Sequence, residues 1–141
     1  LFYKTLHGYG NITYVNNTEY TGYTKYGILD SQFCKFKFHN GTIYEGNITQ
    51  NQLTGQGKFI FPSEAEYTGE VKNGLRDGEG TYEYKHQGIK YIGSWKNGLK
   101  HGFGKLILKD QMVYEGQFYN GIRQGQGKIT WNTNNYFEGE L

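Results

Sequence analysis

The residues of this 141-residue sequence that could carry catalytic or metal chemistry are few and isolated. They are four histidines (His7, His39, His86 and His101), three serines (Ser31, Ser63 and Ser94) and one cysteine, Cys34. No histidine has a second His or Cys two or four residues away, a spacing that brings two metal ligands together. None of the serines stands in a nucleophile elbow. Cys34 lies between Phe33 and Phe36 in a predicted strand, which favours a buried structural thiol over a nucleophile.

Glycine pairs of the form G-x-G are the next candidates, because glycine-rich loops at helix N-termini bind phosphate groups. Five such pairs occur, at positions 8 and 10, 55 and 57, 78 and 80, 102 and 104, and 125 and 127. None continues to the third glycine of G-x-G-x-x-G, no helical pattern follows, and G-K-S/T is absent. We therefore expect no nucleotide or other cofactor and no metal, and the chain is predicted not to be an enzyme.

The composition favours an aromatic-rich β protein. The chain holds 14 Tyr, 9 Phe and 22 Gly against 1 Pro, and its aromatic share is 18%. Disorder is not expected because rings gain free energy on burial, and this is not the composition of an ordinary α/β enzyme core. The net charge is +2, with 15 Lys and Arg and 13 Asp and Glu interspersed, so no nucleic-acid partner is expected. One cysteine fits a reducing compartment, and no apolar run approaches the roughly 20 residues of a membrane span.

A repeat of 23 or 24 residues organises the whole chain. Aromatic-x-Gly triplets begin at Tyr20, Tyr44, Tyr67, Tyr91, Tyr114 and Phe137. A G-x-G pair follows in each full unit except one, where Gln32 and Cys34 stand in place of the glycines. Three units have Asn-Gly between these landmarks, the dipeptide most typical of a tight turn with two positive φ angles. Each unit therefore predicts a β-hairpin, and no stretch has the apolar spacing of a helix.

Alternation along the strands predicts an aromatic face and a polar face of one continuous antiparallel sheet. The triplet aromatic, its glycine, the aromatic four residues later and the large residues after G-x-G share the first face. We expect these rings to form the core, while the glycines leave a partly open trough that could receive a peptide or helix. Lysines and glutamates share the other face: Lys35, Lys58, Lys105 and Lys128 with Glu45, Glu70, Glu115 and Glu138. This ladder could bind anionic lipids, but the interleaved carboxylates favour a solvated face with Lys–Glu pairs.

The pattern Y-x-G-x-W-x-x-G-x-x-x-G-x-G, complete from Tyr91 to Gly104, resembles the MORN (membrane occupation and recognition nexus) repeat. The resemblance extends over the chain, with a partial unit at 1–19, units at 20–43, 44–66, 67–90, 91–113 and 114–136, and a partial unit at 137–141. The unit at 20–43 is degenerate, since it lacks G-x-G and has one inserted residue. The resemblance implies an all-β fold: an elongated, twisted, single-layer antiparallel β-sheet solenoid of consecutive hairpins, with a concave docking groove lined by aromatic residues and glycine.

MORN arrays are known as scaffolds in cilia, flagella, the cytoskeleton and the cell-division machinery. The resemblance therefore implies a non-enzymatic scaffold that binds an extended peptide or amphipathic helix of a partner protein, with weak anionic-lipid contact as a secondary expectation. The expected location is the cytoplasm, in a cytoskeletal or ciliary and flagellar axonemal assembly. Two alternatives stay open: an array that tethers anionic phospholipid membranes, and a regulatory segment of a larger enzyme such as a phosphatidylinositol phosphate kinase. The predicted partner-contact residues are Tyr44, Tyr67, Tyr91, Trp95, Tyr114, Phe118 and Trp131, beside the groove glycines Gly46, Gly69, Gly93 and Gly116.

Overall fold

A computed structural model describes residues 6–109, 112–131 and 135–140. These residues form one antiparallel sheet of 13 strands and no α-helix, so the predicted all-β fold is confirmed. The strands are β1 Gly8–Thr13, β2 Glu19–Lys25, β3 Ile28–Leu29, β4 Ser31–Lys37, β5 Ile43–Ile48, β6 Gly55–Ile60, β7 Glu66–Lys72, β8 Leu75–Tyr84, β9 Ile89–Lys96, β10 Leu99–Ile107, β11 Val113–Tyr119, β12 Ile122–Trp131 and β13 Asn135–Glu140. From β4 to β13 neighbours in the chain are neighbours in the sheet, while β3 is a short branch that pairs with β2. Within the described ranges no helix is long and apolar enough to cross a membrane.

Two-residue turns join the strands of the hairpins. At Asn73-Gly74 both residues have positive φ, 50° and 78°, as a type I′ turn requires. Asn97-Gly98 and Asn120-Gly121 repeat this conformation. The repeat that begins at residue 44 has no glycine here, yet Gln50-Asn51 adopt the same region with φ of 46° and 65°. The tight turn therefore persists in a repeat whose sequence has lost the turn glycine.

The second strands β8, β10 and β12 begin directly after their turns, whereas the sequence led us to expect a start at G-x-G, as in β6. In the hairpin of β7 and β8, Leu75 already pairs with Lys72, although Leu75 stands three residues before Gly78. A two-residue turn places its flanking residues opposite each other, so pairing starts at once. The additional residues of β8 form a bulge opposite the segment between Gly69 and Val71, and Gly78 in that bulge has a φ of 101°. The first glycine of this G-x-G is therefore a bulge glycine.

The register aligns equivalent residues of successive strands into rows across the sheet. A row of glycines runs through Gly46, Gly57, Gly69, Gly80, Gly93, Gly104, Gly116, Gly127 and Gly139. The row beside it runs through Tyr20, Phe36, Tyr44, Phe59, Tyr67, Tyr82, Tyr91, Leu106, Tyr114, Ile129 and Phe137. We call the side of the sheet with these rows the aromatic face and the other side the polar face. The predicted placement of the rings and glycines on one face is confirmed.

The polar face carries the predicted ladder of lysine and glutamate. Lys105 lies across from Glu115, and Lys128 lies across from Glu138. The N···O distances of these two pairs are 3.7 and 3.8 Å, and all four side chains are more than 40% exposed. Exposed ion pairs stabilise a protein by about 0–1 kcal/mol each. The ladder therefore keeps this face polar, and the burial on the other face holds the sheet together.

Hydrogen bonds from the turns join each of the later repeats to its predecessor. The backbone N–H of Gly98 donates to the carbonyl oxygen of Arg76 at 2.8 Å, and that of Gly121 donates to the carbonyl oxygen of Lys100 at the same distance. The turn at Gly74 makes the corresponding bond to the repeat before it, at 2.9 Å. The position two residues before each G-x-G is thus fixed by the backbone of the following turn.

Candidate functional site

The tyrosines that open five of the repeats form the centre of the aromatic face. They are Tyr20, Tyr44, Tyr67, Tyr91 and Tyr114, and each is 0% exposed. In each, the hydroxyl donates to the backbone carbonyl oxygen three residues later, at 2.6–2.8 Å. This bond satisfies the buried hydroxyl and lays the ring along its own strand, over the glycine row.

Glycine is required beneath these rings because a side chain there would occupy the same space. A Cβ built on Gly104 would lie 2.5 Å from Cζ of Tyr91, and one on Gly127 would lie 2.6 Å from Cε2 of Tyr114. A Cβ on Gly93 would meet the Cα of Gly104 on the neighbouring strand at 2.5 Å. These separations are far below van der Waals contact. The glycine row therefore allows a single sheet layer to bury whole tyrosine rings.

Two further rings interlock the later repeats. Trp95 stands edge-to-face between Tyr67 and Tyr91, with ring centroids 5.5 and 5.0 Å away. Phe118 stands in the same way between Tyr91 and Tyr114, at 5.1 and 5.2 Å. Such aromatic pairs contribute about 0.5–1.5 kcal/mol each beyond the area they bury. In the two repeats that begin at Tyr91 and Tyr114, the aromatic residue four positions later is thus a contact between repeats.

The structure brings the seven predicted partner-contact residues onto one face and buries six of them. At most 5% exposed are Tyr44, Tyr67, Tyr91, Trp95, Tyr114 and Phe118, while Trp131 is 38% exposed. The tyrosine rings also fill the trough along the groove glycines Gly46, Gly69, Gly93 and Gly116. The expectation of a partly open trough is therefore wrong, because the hydroxyl bonds hold the rings down over the glycines. Partner contact by these residues stays a prediction. In this conformation the six buried side chains lie beneath the surface of the aromatic face and support it.

A second line of large side chains is what the aromatic face offers to solvent. Half-buried on the second strands of the hairpins, or one residue beyond them, are Phe61, Tyr82, Tyr84, Leu106, Leu108 and Ile129, and Trp131 continues the line. Phe61 stacks on Tyr82 with centroids 5.8 Å apart, and Tyr82 packs on Tyr84 at 4.5 Å. Within the described part of the chain no second layer packs over this line. The line presents apolar side chains from several repeats on this face.

Three basic residues on the aromatic face were missed by the sequence analysis. We call Arg76, Lys100 and Arg123 the basic row, since each stands two residues before the first glycine of its G-x-G. The register places Lys100 opposite Trp95 and Arg123 opposite Phe118. The signal was available in the sequence, because the basic residues lie four positions before the second glycine, and counting by two keeps them on its face.

Cys34 occupies the place of the second glycine in the degenerate repeat. Its side chain is 1% exposed, and burial raises the pKa of the thiol to about 12. The thiol therefore stays protonated at neutral pH, and the predicted burial of Cys34 is confirmed. Among the described residues no group of three or more His, Cys, Asp and Glu is placed to hold a metal ion.

The geometry of this face has a counterpart in a known repeat. The MORN repeat family model matches four consecutive segments, residues 44–65, 67–85, 91–113 and 114–136, which together make up more than half of the chain. The chain belongs to the MORN repeat family. The sheet also continues before the first matched segment, because β4 pairs with β5.

One solved structure has a similar fold. The array is similar to the TCP domain of SAS-4 (dCPAP) of Drosophila melanogaster, solved in complex with a proline-rich motif of Ana2 (dSTIL), with a TM-score of 0.54 and 12% sequence identity. The alignment covers 94% of this chain and 77% of the other. At this identity the likeness is one of fold. No curated protein matches the chain.

The MORN array is expected to lose stability as the pH rises from about 10 to 12. Desolvation in the core raises the pKa of Tyr20, Tyr67 and Tyr91 to about 12, whereas tyrosine in an unfolded chain ionises near pH 10. Because the folded-state values are raised, this contribution to stability is complete below pH 10 and is lost as the pH rises through 12. Urea unfolding at several pH values, followed by circular dichroism, measures the loss. A free energy of unfolding that stays constant to pH 12 would contradict the burial of these hydroxyls.

Proposed function

We propose that this MORN array is a non-enzymatic scaffold whose aromatic face binds an extended segment of a partner protein. The observation that carries the proposal is the second line of half-buried rings and aliphatic side chains, from Phe61 to Trp131. The tyrosines beneath are already covered, so on the aromatic face this line is apolar surface that a ligand could still bury. Contiguous apolar surface of this kind, bordered by polar groups, is typical of protein interaction sites.

The comparisons support a protein ligand. MORN repeats are typically non-catalytic, and the similar TCP domain was solved with a proline-rich motif of another protein. Extended segments suit a face of parallel rows, because they can cross successive strands and contact each repeat in turn. We extend the proposal to a cytoskeletal, ciliary or flagellar axonemal assembly in the cytoplasm, since MORN arrays are known as scaffolds in those settings.

Site-specific photo-crosslinking tests which face binds. The photoreactive residue p-benzoylphenylalanine replaces Trp131 on the aromatic face in one variant and Phe103 on the polar face in the other, which are 38% and 59% exposed. In cells of the source organism we expect protein adducts from position 131 and none from position 103. Because the control position is the more exposed of the two, exposure alone cannot produce this result. Adducts from position 103 alone, or equal adducts from both positions, would contradict the proposal.

Imaging of the tagged chain in the same cells tests the proposed location. We expect the tagged chain to colocalise with tubulin in cytoskeletal or axonemal structures. A uniform distribution, or one that follows a membrane marker, would contradict the location and leave the binding face to be decided by the crosslinks.

A further inference from the structure

The basic row repeats with the period of the array. Arg76, Lys100 and Arg123 occupy the same position of three consecutive repeats. The carbonyl oxygens of Arg76 and Lys100 each accept the N–H of the next turn glycine at 2.8 Å, and Nη2 of Arg76 donates to the carbonyl oxygen of Gly98 at 2.8 Å. The backbone therefore fixes where the side chains of Arg76 and Lys100 begin.

The charged groups of the basic row lie over the rings of the aromatic face. Cζ of Arg76 is 4.7 Å from the ring centroid of Trp95 and 5.0 Å from that of Tyr82. Nζ of Lys100 is 5.4 Å from the ring centroid of Tyr91. In the third repeat, Cζ of Arg123 is 5.5 Å from the ring centroid of Tyr114. Cation–π contacts orient these groups but leave their positive charge in place.

The positive charge of the row is not neutralised by the residues that the structure describes. Across the residues that the structure describes, none of the three forms a salt bridge. The register places the glutamates of β7–β13 on the polar face, and Asp77, in the β8 bulge, accepts the backbone N–H of Asn97 at 3.2 Å. Burial and the neighbouring charge of Arg76 lower the pKa of Lys100. An anionic ligand would relieve the repulsion between the positive charges of Arg76 and Lys100.

The spacing of the basic row selects a chain conformation for that ligand. Neighbouring strands lie about 4.8 Å apart, so equivalent residues of consecutive repeats, two strands apart, are separated by about 9.6 Å. A polyproline II chain rises about 3.1 Å per residue with three residues per turn, so every third side chain returns to the same side after about 9.3 Å. In a β-strand every third side chain points the opposite way. Aromatic-lined surfaces are the usual receptors of polyproline II segments.

We infer that the segment bound by the aromatic face is an acidic polyproline II segment with a carboxylate at every third residue, and that successive carboxylates pair with Arg76, Lys100 and Arg123. The inference rests on the proposed function and names its ligand. The apolar residues between the carboxylates then pack on the second line of large side chains, from Tyr82 to Trp131.

Synthetic peptides test the inference with the intact chain. The probe is a 12-residue peptide of four Glu-Pro-Pro triplets, about 37 Å long at 3.1 Å per residue, which spans the three basic positions. Two matched peptides serve as controls: four Gln-Pro-Pro triplets, and a peptide of the same composition as the probe with its glutamates in one block. Amide chemical shifts of the labelled protein give both the affinity and the face that is contacted. We expect the probe to bind the aromatic face at least tenfold more tightly than either control.

Variants of the chain assign the charge pairing. Arg123→Gln and Lys100→Gln are each expected to weaken binding of the probe about fivefold to tenfold, as loss of a charge-assisted contact does. The matched control is Lys105→Gln on the polar face, where Lys105 pairs with Glu115, and it is expected to leave the affinity unchanged. Circular dichroism of each variant confirms that the sheet is intact.

The remaining outcomes separate this inference from the proposed function. Equal binding of the Gln-Pro-Pro peptide to the aromatic face would overturn the acidic ligand and retain the scaffold. Equal binding of the block peptide would overturn the three-residue spacing, and tighter binding of a helical peptide with glutamates every seven residues would overturn the polyproline II conformation. Binding of phosphatidylserine vesicles that Arg123→Gln abolishes, with no peptide binding, would replace the inference by a membrane ligand. If neither the peptides nor the vesicles bind, the inference of an acidic polyproline II ligand is overturned. The crosslinks at position 131 would then still decide the proposed function.

Discussion

Gly80→Ala is expected to destabilise the array by about 3 kcal/mol, whereas Gly10→Ala is expected to change its stability by less than about 0.5 kcal/mol. A Cβ at Gly80 would lie 2.5 Å from Cζ of Tyr67. Tyr67 has no room to rise, since it is 0% exposed, its hydroxyl is bonded to the carbonyl oxygen of Glu70 at 2.6 Å, and Trp95 stands against its ring. The loss of stability therefore arises because the added methyl group overpacks a filled core.

Gly10 is a matched control because it is also the second glycine of a G-x-G. A Cβ built there meets nothing within 4 Å, and neither Gly10 nor Gly80 has the positive φ that would strain alanine. Urea unfolding followed by circular dichroism compares the variants. Hydrogen exchange shows where stability is lost, because repeat arrays can unfold in parts. An unchanged midpoint for Gly80→Ala, with normal exchange in β7 and β8, would show that the ring does not need the glycine.

Tyr91→Ala is expected to cost about 3–5 kcal/mol, and Tyr91→Phe only about 1 kcal/mol. Alanine removes a ring that is 0% exposed and that both Trp95 and Phe118 contact edge-to-face. Phenylalanine keeps the ring and removes only the hydroxyl, which donates to the carbonyl oxygen of Ser94 at 2.8 Å. The two substitutions thus separate packing from hydrogen bonding.

The control for Tyr91→Ala is Tyr119→Ala, which removes a tyrosine that is 58% exposed and should change stability by less than about 0.5 kcal/mol. The same urea titrations apply to all three variants. The order expected is wild type and Tyr119→Ala together, then Tyr91→Phe, then Tyr91→Ala. If Tyr91→Ala unfolded at the same midpoint as Tyr119→Ala, the ring would be a surface group and the assignment of the core would fail.

Most of the fold follows from local patterns that can be read directly from the sequence. The period of the Tyr-x-Gly triplets gives the number of hairpins, and Asn-Gly gives the turn between their strands. Alternation by two gives the face on which Tyr91, Gly93 and Trp95 lie. The prediction and the structure agree on the hairpins, on their turns and on the face of the sheet that each of these residues occupies.

The openness of the trough could not be predicted in this way. Parity places Tyr91 and Gly93 on one face but does not say whether the ring stands up or lies along the strand. The hydrogen bond to the carbonyl oxygen of Ser94 and the packing of Trp95 decide that, and alternation along the strand predicts neither contact. The basic row was missed for a different reason. Arg76 stands beyond a bulge at which the strand was expected to begin, so it was not counted as a strand residue at all.

The hydrogen bonds from the turn glycines to the preceding repeat all run in the same direction along the chain. In each, the donor belongs to the later repeat, as with Gly98, and the acceptor to the earlier one, as with Arg76. Protein synthesis also runs from the N-terminus, and earlier parts of a chain fold first. A completed hairpin therefore presents a fixed acceptor to the next turn as that turn leaves the ribosome. Deleting later repeats leaves the earlier turns with their acceptors, whereas deleting earlier repeats removes an acceptor from the first turn that remains.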